Sequence, residues 1–131
     1  MEGTGGAGRV SIKDARAAVA AALEGVQMNG QPVNVYVDVP RQWTLPAIAI
    51  APGDPYLEQT GLNTVTVNLE LVAAVAPAHN SYDLDALEVM AMQMLATCTT
   101  TGEVSPPQYT DLGTTEAATV TVPVVVSVPI K

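Results

Sequence analysis

Val65-Thr66-Val67-Asn68-Leu69-Glu70-Leu71 alternates apolar and polar residues without a break. Successive side chains on a strand point to opposite faces, so this run places its valines and leucines on one face and Thr66, Asn68 and Glu70 on the other. Three further runs repeat the pattern: Val33 to Val39, Ala47 to Ile50, and Thr119 to Val122. A sheet built from them has one core face and one wetter face. Such a sheet suits a part whose surfaces and edges meet other subunits better than it suits a catalytic pocket.

Working outward, Thr64 to Val75 is the longest expected strand. Its alternation slips at Val72-Ala73-Ala74-Val75, which reads either as a bulge or as an end buried on both faces. Before it, Pro52-Gly53-Asp54-Pro55 signals a turn, and the loop continues to Asn63. Ala47 to Ala51 is then a short strand, antiparallel to Thr64–Val75. Pro40 to Pro46 is a proline-bounded loop, and Val33 to Val39 is the clearest strand. The last strand, Ala117 to Val128, contains Pro123, which cannot donate to a ladder. It is expected at an edge or bent there.

Two stretches have helical spacing. Ile12, Ala15, Val19, Ala22, Leu23 and Val26 form an apolar stripe over a helix from about Ser11 to Glu24. Ser11 is its expected cap, with Asp14 three residues on. Leu84, Leu87, Ala91, Met94, Leu95 and Cys98 form a second stripe over Asp83–Cys98, capped by Asn80 or Ser81. The order helix, strand, strand, strand, helix, strand predicts an α+β fold: a small, mostly antiparallel sheet of about four strands with two α-helices packed on one face. Residues 1–8 read as a flexible Gly-rich arm and residues 9–131 as a single domain.

Composition narrows the function. Hydrophobic residues make up 48% of the chain, yet there is no Phe and one Trp, so the core is aliphatic. The net charge is −8, with only five basic residues, which leaves no basic patch for phosphate binding. An acidic surface repels DNA, so a channel lined by it lets DNA slide; the same charge also serves solubility. The single cysteine, Cys98, forms no internal disulfide and reads as a small core residue. No run reaches the length of a membrane span, and the N-terminus lacks the pattern of a signal peptide. Synthesis in a reducing cytoplasm is expected.

The search for chemistry yields little. His79 stands without an oriented nucleophile and reads as an ordinary loop residue. One His and one Cys, nineteen positions apart, do not make a zinc site. Asp83, Asp85 and Glu88 fail the calcium-loop pattern and read as helix capping and a solvated face. The glycines of residues 3–8 lack the rest of a phosphate loop. Neither a catalytic residue nor a cofactor is expected. Interfaces are the better prospect: Met92 lies off the main stripe of its helix, and Trp43 and Tyr56 sit in the two loops flanking the second strand. Arg41, Trp43, Tyr56 and Leu57 are the candidate assembly contacts. Trp43 has a competing role, folding back to cover the sheet edge.

The succession of a short N-terminal helix, extended Val33–Val39 and Ala47–Ala51, long Thr64–Val75, acid-started Asp83–Cys98 and a Val-rich terminal strand resembles the tail-terminator (tail-completion) proteins of long-tailed bacteriophages. The likeness rests on architecture and segment character. It implies a homo-oligomeric ring, usually a hexamer, that caps the tail tube and presents a docking face to the head. It implies a channel through which DNA passes without specific binding. It implies a tail tube protein and a head-tail connector protein as partners, no membrane, and a place in the virion neck after synthesis in the host bacterial cytoplasm. A head-tail connector or head-completion protein is the neighbouring reading, a tail tube subunit a third, and a small enzyme or ligand-binding domain the reading from another class.

Overall fold

The computed structural model describes residues 12–28, 30–78, 81–97, 103–113 and 115–129. Helix α1 spans Ile12–Ala22 and tightens into a 3-10 turn at Leu23–Gly25. Ala15, Val19, Leu23 and Val26 of the expected stripe are buried, whereas Ala22 is exposed. Strands β1 (Gln27–Met28) and β2 (Gln31–Pro32) pair as a small antiparallel ribbon. There follow β3 (Asn34–Tyr36), β4 (Ala47–Gly61), β5 (Thr64–Val75), helix α2 (Ser81–Thr97), β6 (Gln108–Asp111) and β7 (Glu116–Pro129). The expected caps Ser11 and Asn80, the arm 1–8, His79 and Cys98 lie outside the described residues.

The main sheet has five strands in the order β3-β4-β5-β7-β6. All neighbours are antiparallel except β3 and β4, which are parallel. The α+β class and the mostly antiparallel sheet agree with expectation. The strand count and order do not: there are five strands plus a two-stranded ribbon, not about four strands in the order α-β-β-β-α-β. The extra strands are short and mostly polar (Gln27–Met28, Gln31–Pro32, Gln108–Asp111), so they carry no alternation long enough to read.

Both helices pack on one face. Ala15 and Val19 of α1, Leu23 of the turn that follows it, and Leu87, Met90 and Met94 of α2 meet the inward residues of β5 and β7 in one core. The stripe of α2 is rotated from expectation: Ala86 and Met90 are buried, and Leu84 is 43% exposed. The side-chain amide of Gln93 binds both backbone groups of Gln27, accepting from its N–H at 2.9 Å and donating to its carbonyl at 2.6 Å. An α2 side chain thereby takes the place of a strand partner for β1.

On β5, Val72 to Val75 is buried or half-buried on both faces. Ala73 and Val75 join the helix-side core, and Val72 and Ala74 pack with Trp43 on the other side. Pairing with β7 runs unbroken to Val75↔Ala118, so there is no bulge here.

The bulge lies in β4. Pairing stops at Pro52↔Leu69 and resumes at Leu57↔Val67, leaving Gly53–Tyr56 opposite Asn68. The expected turn and loop at 52–63 is therefore a correction. Apart from the two-residue tip Leu62-Asn63, it is strand, kept in the sheet by this bulge. The Asn68 amide donates to the Pro55 carbonyl at 2.8 Å, satisfying a group that the bulge takes out of the ladder, and to the Glu58 carboxylate at 2.9 Å. Gly53 is required by space: a Cβ there would lie 2.8 Å from the Asn68 carbonyl oxygen.

The last strand meets the edge expectation only beyond Thr119. β7 is flanked by β5 and β6, but β6 reaches only from Glu116 to Thr119. The Thr121 carbonyl and N–H then engage Ser105. Antiparallel backbone groups alternate sides, so odd-numbered residues of β7 address the side away from β5. Pro123 and Pro129 are both odd. Their missing N–H groups fall on the side without a partner strand, so neither costs a ladder bond to β5.

Candidate contact surfaces

The parallel pairing of β3 with β4 shapes the first surface. A chain that leaves Tyr36 and re-enters alongside at Ala47 must travel back along the sheet. Val37 and Asp38 still lie beside α1, and the return then brings Trp43 and Leu45 onto the face that the helices leave uncovered. Val33–Val39 is thus strand only over Asn34–Tyr36, and the chain bends at Val37 and Asp38. Trp43 lies under the loop, 8% exposed, against Ala47, Ala49, Ala74 and Ala117. Four alanines leave room for one indole. Tyr36 meets it edge-on at 6.3 Å, and its hydroxyl accepts from the Thr44 N–H at 3.2 Å. Asn34 donates to the Thr44 carbonyl at 2.9 Å, tying the loop to the strand.

Trp43 therefore backs the loop, and the loop shows other residues outward. Val37 and Val39 are 43% and 54% exposed, and Arg41 is exposed. Asp38 is also exposed but forms an ion pair with Arg16 of α1. The fold brings Arg41 and Trp43 into one loop and places Tyr56 and Leu57 elsewhere, at the β4 bulge. Tyr56 is half-buried against the helix-side core, and Leu57 is exposed.

The second surface is the outer side of α2. Asp85, Glu88, Val89 and Met92 recur at helical spacing on one side of the helix. They line, with Gln93, a shallow depression of about 560 Å³. Met92 is 67% exposed and Val89 46%, while Met90 and Met94 are fully buried. The off-stripe position of Met92 was legible in the sequence. The Val89 and Leu84 exposures were not, because the helix's facing depends on where β5 and β7 lie.

The carboxylates of α2 separate by role. Asp83 is the one buried carboxylate among the described residues. It accepts from the Ala78 N–H at 2.8 Å and from the Tyr109 hydroxyl at 2.8 Å, linking the start of α2 to β6. That bond, followed by desolvation and the negative charges of Asp83 and Glu116, raises the Tyr109 pKa above its ordinary value. Asp85 and Glu88 point to solvent. Among the described residues, no three metal-ligating side chains cluster, and no helix is long and apolar enough to cross a membrane.

A third feature is a groove of about 400 Å³ between α1 and β7, lined by Ala15, Ala18, Ala22 and Val124–Ser127. It is open, and no charged residue lines it. The scans against protein-family models and against curated proteins find no match to this chain.

Proposed function

We propose that the protein is a structural virion component, a tail terminator. Copies form a ring that caps the tail tube of a long-tailed phage and presents the head-joining surface. The observation that carries this reading is the exposed apolar surface on a strongly acidic chain. Val37 and Val39 on one element, and Val89 and Met92 on another, stand in water on a protein of net charge −8. Side chains of this kind gain from being covered by a partner. The acidic balance supports the channel role, since ten of the thirteen acidic residues are exposed and would repel DNA passing through a ring.

The long β4–β5 hairpin adds to this. It carries the exposed Leu62 at its tip, and an exposed loop tip is a natural point of contact with a tube. Electron microscopy of the purified protein, alone and mixed with tail tubes, tests the proposal. Rings seated on one end of the tubes are expected. Tubes that stay bare at saturating protein would overturn it.

A further inference from the structure

We infer that copies of this chain join head to tail, with residues 37–41 of one copy seated on the Asp85–Met92 face of α2 of the next. This rests on the ring reading for its biological setting, but its evidence is separate. Among the described residues there are eight exposed large apolar side chains. Four of them fall in these two places: Val37 and Val39 in the loop, Val89 and Met92 on the helix.

Charge selects the pairing. Arg16 neutralises Asp38, so Arg41 sets the sign of the loop. On α2 the apolar pair is bordered by Asp85 and Glu88, and neither forms an ion pair among the described residues. A positive, apolar projection thus has a negative, apolar depression to enter, whereas loop against loop or helix against helix would place like charges together. The occupant chosen by this complementarity is a second copy of the chain.

Order in the loop favours the contact too. Trp43 packs beneath it and Asn34 and Tyr36 bind its backbone, so little freedom is lost on docking. Because two different surfaces meet, each copy keeps one of each kind free. Such heterologous contacts propagate into a closed ring or an open filament. A ring needs only modest pairwise affinity, since the closing contact is intramolecular.

The test uses Val39→Asp and Met92→Asp, both at exposed positions and each placing a carboxylate in one of the two patches. Sedimentation velocity at roughly 0.5 mM detects association down to millimolar Kd. Wild type is expected to form oligomers, and each variant to stay monomeric with an unchanged circular dichroism spectrum, its association weakened roughly tenfold or more. Mixed in equal amounts, the two variants are expected to form a dimer and nothing larger, because one good loop meets one good helix.

Wild type that stays monomeric at this concentration overturns the inference. So do variants that assemble like wild type, or a mixture that stays monomeric. Tube capping is scored separately. A wild type that caps tubes while ignoring both substitutions removes this contact and leaves the terminator reading standing.

Discussion

Replacing Trp43 by alanine tests whether the β3–β4 loop is held by its tryptophan. The indole is 8% exposed and rests on Ala47, Ala49, Ala74 and Ala117. Burying about 200 Å² of aromatic surface at about 25 cal/mol per Å² amounts to ~5 kcal/mol. The edge-on contact with Tyr36 adds about 1 kcal/mol. Alanine retains part of the burial and the loop can settle toward the sheet, so the expected loss is about 3–5 kcal/mol. That is a large share of the ~5–15 kcal/mol of a typical domain, and the melting temperature should fall by roughly 10–20 °C. Trp43 is the only tryptophan, so the variant has no indole fluorescence. Urea unfolding followed by far-ultraviolet circular dichroism is the suitable assay, with an unchanged m-value expected. A loss below about 1 kcal/mol would refute the packing role and leave Trp43 free to act as an interface anchor.

Gly53→Ala should destabilise the protein by about 1–3 kcal/mol, because its Cβ would meet the Asn68 backbone at 2.8 Å; an unchanged melting temperature would show that the bulge can shift. Asn68→Asp replaces an amide donor by a carboxylate facing the Pro55 carbonyl and Glu58. It should cost about 1–3 kcal/mol at neutral pH, and much of this should return as the pH is lowered and the new carboxyl is protonated. A thermal melt that is pH-independent relative to wild type would contradict this. Tyr109 prefers its protonated form in the folded state more than in the unfolded chain. Its contribution is therefore fully present below about pH 10, the ordinary tyrosine pKa, and is lost as the pH rises through the raised folded value. Tyr109→Phe should flatten that alkaline limb of the stability profile, and an identical limb in the variant would assign it to other groups.

The parts of the fold that could be read from the sequence are those where one face of an element meets one core. Thr64–Val75 alternates because its helix-side residues are buried and most of its other face is wetter, and Ile12–Ala22 has its stripe for the same reason. What escaped depends on partners distant in sequence. Val37 and Val39 continue the alternation of Val33 and Val35, but β3 has only Ala47–Ala49 to pair with and the chain bends away. Residues 52–55, at the start of the 52–61 stretch, carry two prolines and a glycine that signal a turn. Their strand character depends on Asn68, across the hairpin, filling the bulge. Of the candidate contacts, Arg41 and Leu57 are exposed. Trp43 is turned under the loop because the parallel crossover brings it over four alanines, which its own neighbourhood in the sequence does not reveal.

The treatment of the sheet's open side bears on how copies can meet. An unpaired strand invites another strand to add, which is a hazard for a soluble chain. Along β7, the Ser105 contacts occupy the outward groups of Thr121, and prolines at 123 and 129 leave Val125 and Ser127 as the outward N–H donors of that stretch. A partner strand would find two donors over the same stretch in which an unbroken strand offers four. Edge addition is thereby weakened where the sheet is most open. Val37, Val39, Val89 and Met92 sit instead on a bent loop and on a helix face, surfaces that recognise by side-chain shape and charge. Association directed there would have a fixed geometry, as the proposed ring requires.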